Sequence, residues 1–294
     1  MPARVPLSAR LAAAALLAAC APASPSVTPA PAPAPLAVTD ARAGAAVAPA
    51  AMHDAVARAD VVFVGERHDD PIAHAAELQL LEQLARRGRP VVLALEMFER
   101  DVQPLLDAYV AGRATEAEQL AGARPWPNYA GDYRPLVELA RARGWRVVAS
   151  NAPRPLASLV SRGGLRALDT LAADRRAHVA ADLRCPDDAY RAKFVALMGD
   201  MAGHGGAPGD GAAMAQRFYE AQCVKDETMA ESVAAALAPG TTVVHVNGSF
   251  HSDEGLGAVE RLRRRRPDAT VLVISVVPSG TAPGTLGDYV IRGR

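Results

Sequence analysis

The stretch Val61–His74, VVFVGERHDDPIAH, decides the fold and locates the candidate site. Its apolar run Val61–Val64 stops at a glycine, and a carboxylate, a guanidinium and an imidazole follow at once. A short continuous apolar run bounded by turn residues is typical of a buried parallel strand. Ligands of open parallel sheets lie outside the carboxyl ends of the strands. The stretch therefore predicts a site at a strand end, where Glu66 and His68 point to the same side.

Apolar runs of the same kind recur along the chain and predict a parallel sheet. Five strands are expected: Val61–Val64, Val91–Leu95, Val147–Ala149, Thr242–Val246 and Val271–Val277. Helical patterns separate them, for instance at Ile72–Arg87, Gln103–Val110 and Arg134–Arg143. This alternation predicts an α/β protein with a mainly parallel sheet flanked by helices. Residues 153–238 show no strand pattern and are expected to form a smaller all-helical insertion or cap domain.

Polar side chains follow four of the five predicted strands. The segments are Gly65-Glu-Arg-His68, Glu96-Met-Phe98, Ser150-Asn-Ala-Pro-Arg154 and Asn247-Gly-Ser-Phe-His251. Because parallel strands bring their carboxyl ends to one edge of a sheet, these groups are expected to converge. The convergence favours a functional cluster of Glu66, His68, Glu96 and His251 that grips a ligand or activates water. The alternative is a structural ion pair that locks the strand ends together.

The first 50 residues are predicted to lie outside the folded domain. Residues 1–20 combine basic flanks with a short apolar stretch, which is typical of a secretory signal and too short to span a bilayer. Their end, Leu17-Ala-Ala-Cys20, is similar to the bacterial lipobox, in which the cysteine is diacylated. A soluble secreted protein cut near Ala19 is the alternative. Residues 21–50 are mostly Ala, Pro, Ser and Thr, and we expect a semi-extended tether.

Net charge and cysteine content limit the partners. The chain has 294 residues with 32 basic and 32 acidic side chains, so nothing argues for a nucleic-acid partner.

A lipid on Cys20 would hold the protein at a membrane without a spanning helix. We expect the bacterial cell envelope, at the outer membrane and facing the periplasm. Cys185 and Cys223 could pair in an oxidising compartment or remain free thiols.

Four other features have a structural interpretation, and three of them also have a functional one. His74 is expected to be a solvated or capping histidine, since six residues from His68 is weak evidence for a metal site. His245, inside a predicted strand, is expected to be a satisfied core histidine. His204 lies in a glycine-rich loop that is either without a role or a lid over a flat ligand. The aromatic residues of segment 126–133 either pack a core or supply a phenol to ferric iron.

Several motifs together resemble the ChaN-like haem-binding lipoproteins of bacteria. They are VGERHDDPIAH, LALEMFERDVQPLLDAYVAG, DYRPLVELARARGWRVVASNAPR, AQCVKDETMAESV and VVHVNGSFHSDEGLG. The resemblance runs from about residue 50 to 275, and we assign the domain to 51–280 with a C-terminal tail at 281–294. It implies a lipid anchor, a role in haem or iron uptake, and haem held between two subunits with a tyrosine on the iron. A homodimer and a haem receptor or transporter are the implied protein partners.

The resemblance also implies candidate haem contacts. Tyr133 or Tyr129 is the expected iron ligand, and Tyr190 remains open. Arg154 is expected at the propionates. Asn151 and His204 complete the expected haem site.

The wider superfamily provides a second interpretation. The chain is similar there to Tiki-type metalloproteases and erythromycin esterase-like hydrolases, which use a Gly-x-x-His turn and a strand-end Glu. Gly65, Glu66, His68, Glu96 and His251 match that scheme. The alternative function is therefore a metal-dependent hydrolase, an esterase or a protease, which holds a divalent ion or activates water directly. A structural envelope protein is a third possibility.

Overall fold

A computed structural model describes residues 36–202, 211–282 and 284–292. In these residues eight strands form one sheet: β1 Ala37–Asp40, β2 Ala45–Val47, β3 Val61–Glu66, β4 Val91–Glu99, β5 Arg146–Asn151, β6 Thr242–Gly248, β7 Val271–Val277 and β8 Tyr289–Arg292. Their order across the sheet is β2-β1-β8-β7-β3-β6-β4-β5. The six strands from β8 to β5 run parallel, and β1 and β2 are antiparallel at one edge. The predicted α/β fold with a mainly parallel sheet is confirmed.

Helices connect the parallel strands from β3 to β7 and cover both faces of the sheet. They are α1 Pro49–Val56, α2 Pro71–Arg86, α3 Gln103–Val110, α4 Glu116–Ala123, α5 Tyr129–Asp132, α6 Arg134–Ala142, α7 Arg154–Gly163, α8 Ala173–Arg176, α9 Ala189–Ala202, α10 Gly211–Ala236 and α11 Ala258–Arg265. Local sequence sets several starts. At α2 the Asp70 carboxylate accepts the Ile72 N–H at 2.9 Å, and Pro71 opens the first turn.

The core explains why the strands are continuous apolar runs. Successive residues of β3 face opposite sides of the sheet, so Val62 and Val64 pack into one core and Val61 and Phe63 into another. Because helices cover both sides, most polar residues of the parallel strands lie at the strand ends, with exceptions such as His245 inside β6. The chemistry of the chain is therefore concentrated at the carboxyl edge of the sheet.

The long helix α10 joins the sheet to the helical insertion. Its second half packs on the sheet through Met229 and Val233, and its first half packs on α7 through Ala221 and Val224. Between β5 and β6 the described residues form helices and no strand, as the sequence predicts for 153–238. The described residues nevertheless form one compact unit.

The predicted boundaries of the domain are wrong at both ends. β1, β2 and the start of α1 lie inside the segment 21–50 expected to be a tether, and β8 lies inside the expected tail 281–294. β1 pairs with β8 in antiparallel register, Val38 opposite Ile291, and so covers an edge that would otherwise expose its hydrogen-bonding groups. Strands of three or four residues in an Ala-rich segment have too little local pattern to reveal this pairing.

Two predicted features fall outside the described residues: the lipobox cysteine Cys20 with its signal segment, and His204. Among the helices that the structure describes, none combines the length and the apolar character needed to cross a bilayer.

Candidate functional site

Glu66 and His68 form a pair at the end of β3. Glu66 is buried, and its Oε1 accepts the Tyr133 hydroxyl at 2.7 Å and lies 2.9 Å from His68 Nδ1. Burial alone would raise the pKa of Glu66, but hydrogen bonds from His68, His74 and Tyr133 lower it to about 2. His68 has 44% of its side chain exposed, and its ring meets Trp126 edge-on at 4.6 Å. An ionised carboxylate therefore orients an imidazole whose outer edge reaches solvent.

Glu96 and His251 form a second pair, which Asp226 of α10 extends. Glu96 lies where β4 shifts register against β5, a bulge that turns its side chain toward β6. Its Oε2 accepts the Gly248 N–H at 2.8 Å, and its Oε1 lies 3.3 Å from His251 Nε2. The other ring nitrogen of His251 lies 2.7 Å from Asp226 Oδ1.

The two carboxylates keep His251 charged. Burial opposes the charge, but Glu96 and Asp226 outweigh it and raise the pKa of His251 to about 10. Burial likewise opposes ionisation of Glu96, whereas His251 and the Gly248 N–H lower its pKa to about 2. His251 is thus a buried imidazolium with both nitrogens engaged, and it can neither accept a proton nor ligate a metal in this state.

Gly248, at the end of β6, lies between the two pairs. A Cβ at this position would stand 2.7 Å from His68 Cε1, 2.8 Å from His68 Nε2 and 3.7 Å from Glu96 Oε2. His68 can therefore rest on the main chain beside Glu96 only because residue 248 has no side chain. The four residues predicted to converge, Glu66, His68, Glu96 and His251, do lie together at neighbouring strand ends; we call them the Glu–His cluster.

A third group lies behind the cluster and corrects the interpretation of His74. This histidine is buried on α2, with Nδ1 3.1 Å from Glu66 Oε2 and 3.3 Å from Glu77 Oε2. Its expected solvated or capping role is wrong, because α2 turns its face with Ala73, Ala76 and Leu80 into the core. Burial raises the pKa of Glu77 to about 8 even though His74 opposes the shift. The spacing His74–Glu77, three residues apart on an apolar helix face, is the signal that could have revealed this group.

His245 is a core histidine, as predicted. It is fully buried in β6, with Nε2 3.0 Å from Ser150 Oγ and Nδ1 3.1 Å from Asn247 Oδ1. Burial lowers its pKa to about 4, so the ring is neutral.

All three candidate tyrosine ligands are buried. Tyr133 donates to Glu66, and Tyr190 donates to Asp226 Oδ2 at 2.8 Å. Tyr129 meets the Phe98 ring edge-on at 5.7 Å. Burial raises the pKa of each phenol above its ordinary value. Iron ligation by any of them stays a prediction, and it requires a proton to leave a buried hydroxyl.

Arg154 lies at an open groove that sequence patterns did not reveal. Three helices line this groove, which we call the apolar groove and which has a volume of about 440 Å³: α7 with Arg154, Ala157, Ser158 and Ser161, α9 with Phe194 and Met198, and α10 with Phe218, Ala221, Gln222 and Lys225. Arg154 is largely exposed and lies 3.2 Å from Glu99 Oε1. Asn151 instead organises its own strand end, where Oδ1 accepts the Ala152 N–H at 2.8 Å.

The groove and the Glu–His cluster share a wall. Gln222 lines the groove, and its Nε2 lies 3.3 Å from His251 Nδ1 and donates to Tyr190 Oη at 3.1 Å. Gln222, Lys225 and Asp226 were not predicted from the sequence. The signal that could have revealed them is the occurrence of polar residues between apolar ones on α10, which indicates a helix face in contact with other polar groups.

Fold and site together define an α/β protein with an acid–base cluster at the carboxyl edge of a parallel sheet and an apolar groove beside it. The family model described as haem-binding uptake, Tiki superfamily, ChaN matches residues 52–262. The chain therefore belongs to this ChaN family of haem-binding uptake proteins.

Individual relatives are more distant. The solved structure of cofacial haem binding to ChaN of Campylobacter jejuni aligns with 87% of this chain and 96% of that chain at a TM-score of 0.66 and 14% identity, which shows a shared fold. A mutant erythromycin esterase in its open conformation aligns with 82% of this chain and 78% of its own at 12% identity, and its TM-score of 0.47 is too low to bear on chemistry.

A curated relative comes from a plant. The chain is 25% identical over 236 residues to the chloroplastic protein RETICULATA-RELATED 5 of Arabidopsis thaliana, which covers 75% of this chain. It spans only 31% of the length of that relative.

Proposed function

We propose that this chain binds haem in the apolar groove and serves haem or iron uptake at the bacterial cell envelope. The observation that carries the proposal is the composition of the groove. Its walls present Phe194, Met198 and Phe218, and its rim carries Arg154 and Lys225. A porphyrin needs apolar faces for its ring and cations for its two propionates.

A tyrosine is the proposed iron ligand, and contacts around the groove favour Tyr190. Gln222 lines the groove and is hydrogen-bonded to the Tyr190 hydroxyl, so one side chain separates this phenol from the groove. Tyr133 and Tyr129 remain the alternatives from the sequence. Bound ferric iron would stabilise the phenolate and so compensate for the raised pKa.

The helices α9 and α10, which line the groove, also support a dimer. Val195 and Leu197 on α9 and Met214 on α10 are large apolar side chains with 37–45% of their surface exposed. Exposed apolar patches mark interaction sites. We propose that a second copy covers this patch and that haem lies between the two chains.

Membrane anchoring is proposed on the sequence alone. Diacylated Cys20 would hold the body at the outer membrane, facing the periplasm, through the segment that precedes β1. Labelling of the protein in its bacterial host with radioactive palmitate should mark the wild type and not Cys20→Ala. Equal labelling of both would exclude lipidation at this cysteine.

Haem titration of groove variants tests the main proposal. Hemin added to the full chain should give a saturable Soret shift, and the double variant Arg154→Ala/Lys225→Ala should bind at least ten-fold more weakly, since each charge-assisted contact contributes about 1.5–3 kcal/mol. Arg134→Ala is the control, because Arg134, like Arg154, is an exposed arginine that pairs with a glutamate, Glu116, and it does not line the groove. Unchanged affinity in the double variant would place haem elsewhere, and an unchanged spectrum in Tyr190→Phe, Tyr133→Phe and Tyr129→Phe would exclude tyrosine ligation.

Hydrolysis is a second candidate, favoured by one observation: His68 Nδ1 binds an ionised buried carboxylate while the other ring nitrogen lies beside Gly248 and Glu96. A carboxylate that orients an imidazole is the arrangement of a general base. In this proposal His68 takes a proton from water, and Glu66 holds the ring in position. Because both nitrogens of His251 are engaged, we propose direct acid–base chemistry rather than a metal at these four residues.

A panel of esters and peptides tests this candidate. Turnover by the full chain should fall by two to four orders of magnitude in His68→Gln. Glu82→Gln, on the exposed face of α2, should leave it unchanged. Absence of turnover in a wild-type protein that binds hemin would dismiss hydrolysis and leave haem binding standing.

A further inference from the structure

We propose that Glu66, His74 and Glu77 form a binding site for one divalent transition-metal ion, with zinc as the best-fitting ion. Each residue offers one ligand atom, and these atoms lie within 4.8 Å of one another. All three side chains are buried. Among the residues that the structure describes, this is the one group of three or more acidic, histidine or cysteine side chains gathered so closely.

The two distances from His74 to the carboxylate oxygens fit a tetrahedral ion. His74 Nδ1 is 3.1 Å from Glu66 Oε2 and 3.3 Å from Glu77 Oε2. In a tetrahedral zinc site with bonds of about 2.0–2.1 Å, ligand atoms stand about 3.3 Å apart. A zinc ion can therefore replace the proton on Nδ1 with little movement of the three side chains, and a water molecule would complete the coordination.

Surrounding contacts orient the ligands as they do in known metal sites. His74 Nε2 lies 3.4 Å from Asp132 Oδ2 and 3.3 Å from the His68 carbonyl oxygen, which places the remaining ring proton on Nε2 and directs Nδ1 to the site. A carboxylate or carbonyl on the far nitrogen is the usual support of a metal-binding histidine. Tyr133 and His68 both bind Glu66 Oε1, which leaves Oε2 for the ion.

An unpaired oxygen gives the independent indication of a ligand. Within the described part of the chain, Glu77 Oε1 is buried without a hydrogen-bond partner, and Glu66 Oε2 has only its ion-pair contact with His74 Nδ1 at 3.1 Å. Glu77 is 1% exposed. An unpaired buried carboxylate oxygen is costly, and one imidazolium balances only one of two carboxylates. A dication with a neutral His74 balances both.

The site is separate from the proposed haem groove but shares Glu66 with the hydrolysis candidate. It lies behind the Glu–His cluster, shares only Glu66 with it and has no residue in the apolar groove. A bound ion would contact Glu66 Oε2, whereas Glu66 Oε1 holds His68. Metal binding would therefore affect His68 through Glu66.

Cobalt titration of the full chain tests the site. After removal of metals with a chelator, the wild type should take up one equivalent of Co²⁺ with the intense visible absorption of a tetrahedral ion, and Zn²⁺ should displace it. His74→Gln and Glu77→Gln should lose the band. Three variants serve as matched controls and should keep it: His53→Gln, a buried histidine on α1, Glu82→Gln on α2, and Glu96→Gln in the Glu–His cluster.

Cobalt binding by the wild type is the first test of the metal site. Failure to bind a stoichiometric ion, or a band that survives in a folded Glu77→Gln variant, would overturn the proposal. Loss of the band in Glu96→Gln would also overturn it, because the ion would then lie in the Glu–His cluster. Circular dichroism of each variant ensures that a lost band reflects lost ligands.

Discussion

At the scale of single residues, the absence of a side chain at position 248 is as important as the charged groups around it. Gly248 donates its N–H to Glu96 and leaves its α-carbon face open to the His68 ring. Its φ of −57° is ordinary, so another residue could adopt the backbone. Space, and not backbone freedom, requires glycine here.

Gly248→Ala should therefore fold but displace His68. The new methyl group would stand 2.7–2.8 Å from two ring atoms, and the imidazole, which is partly exposed, can swing outward. We expect a loss of about 1–3 kcal/mol in the free energy of unfolding. The His68 ring signals in an NMR spectrum should shift, whereas those of His245 should not. Unchanged His68 signals would show that the ring does not rest on Gly248.

His251 gives a prediction for pH. Its pKa is raised from 6.5 to about 10, so its contribution to stability is complete below pH 6.5 and is lost as the pH rises toward 10. The difference in unfolding free energy between the wild type and His251→Gln should shrink over this interval by a few kcal/mol. Urea unfolding at pH 6.5, 8 and 9.5 measures it. A difference that is constant with pH would mean that His251 is neutral in the folded protein.

At the scale of elements, α10 carries the polar framework behind the site. Asp226 and Glu227 are adjacent and fully buried. Asp226 holds His251, whereas Glu227 binds the arginines of α11: Arg264 at 2.7 Å, Arg265, and Arg261 at 3.6 Å. The basic end of α11 is thus partly buried against an acidic residue.

Removal of Glu227 should be costly. Glu227→Ala leaves cations without their buried partner, and we expect a loss of about 3–5 kcal/mol in the free energy of unfolding. Glu231→Ala, one turn along α10, breaks a more exposed pair with Arg100 and should cost about 1 kcal/mol. Chemical unfolding of both variants compares them. Equal losses of unfolding free energy in the two variants would show that the buried contacts of Glu227 stabilise the protein no more than the exposed pair of Glu231.

The elements that sequence patterns predicted are those with strong local signals. The apolar runs of β3, β4, β5, β6 and β7 and the amphipathic helices α2, α3 and α6 are all present, because a strand buried on both faces must be apolar throughout. Strand-end positions likewise predicted the Glu–His cluster. Asp226 was missed because its partner His251 is distant in sequence, whereas Glu77 lies only three residues from its partner His74 and could have been recognised.

At the scale of the whole molecule, the sheet is completed by segments from both ends of the described chain. β1 pairs with β8 and with β2, and Val38 is 3% exposed. Composition assigned these residues to a tether and a tail. Their role depends on a pairing between residues about 250 positions apart, which no local pattern contains.

Truncation of the N-terminal segment tests whether β1 and β2 stabilise the sheet. A chain that starts at residue 36 should keep the thermal midpoint of the full chain, whereas one that starts at residue 51 loses β1 and β2 and exposes the edge of β8. We expect the second midpoint to fall by about 5 °C or more, since each 1 kcal/mol shifts it by about 2–4 °C in a domain of this size. Differential scanning calorimetry measures both. Equal midpoints would show that the edge strands are dispensable.

The most direct test of the central claim is a hemin titration of the full chain followed by native mass measurement of the product. The account predicts a saturable Soret shift and a complex of two chains that carry haem, with affinity that depends on Arg154 and Lys225. Hemin that causes no saturable change, or binds equally well after both cations are replaced, would contradict haem binding in the apolar groove.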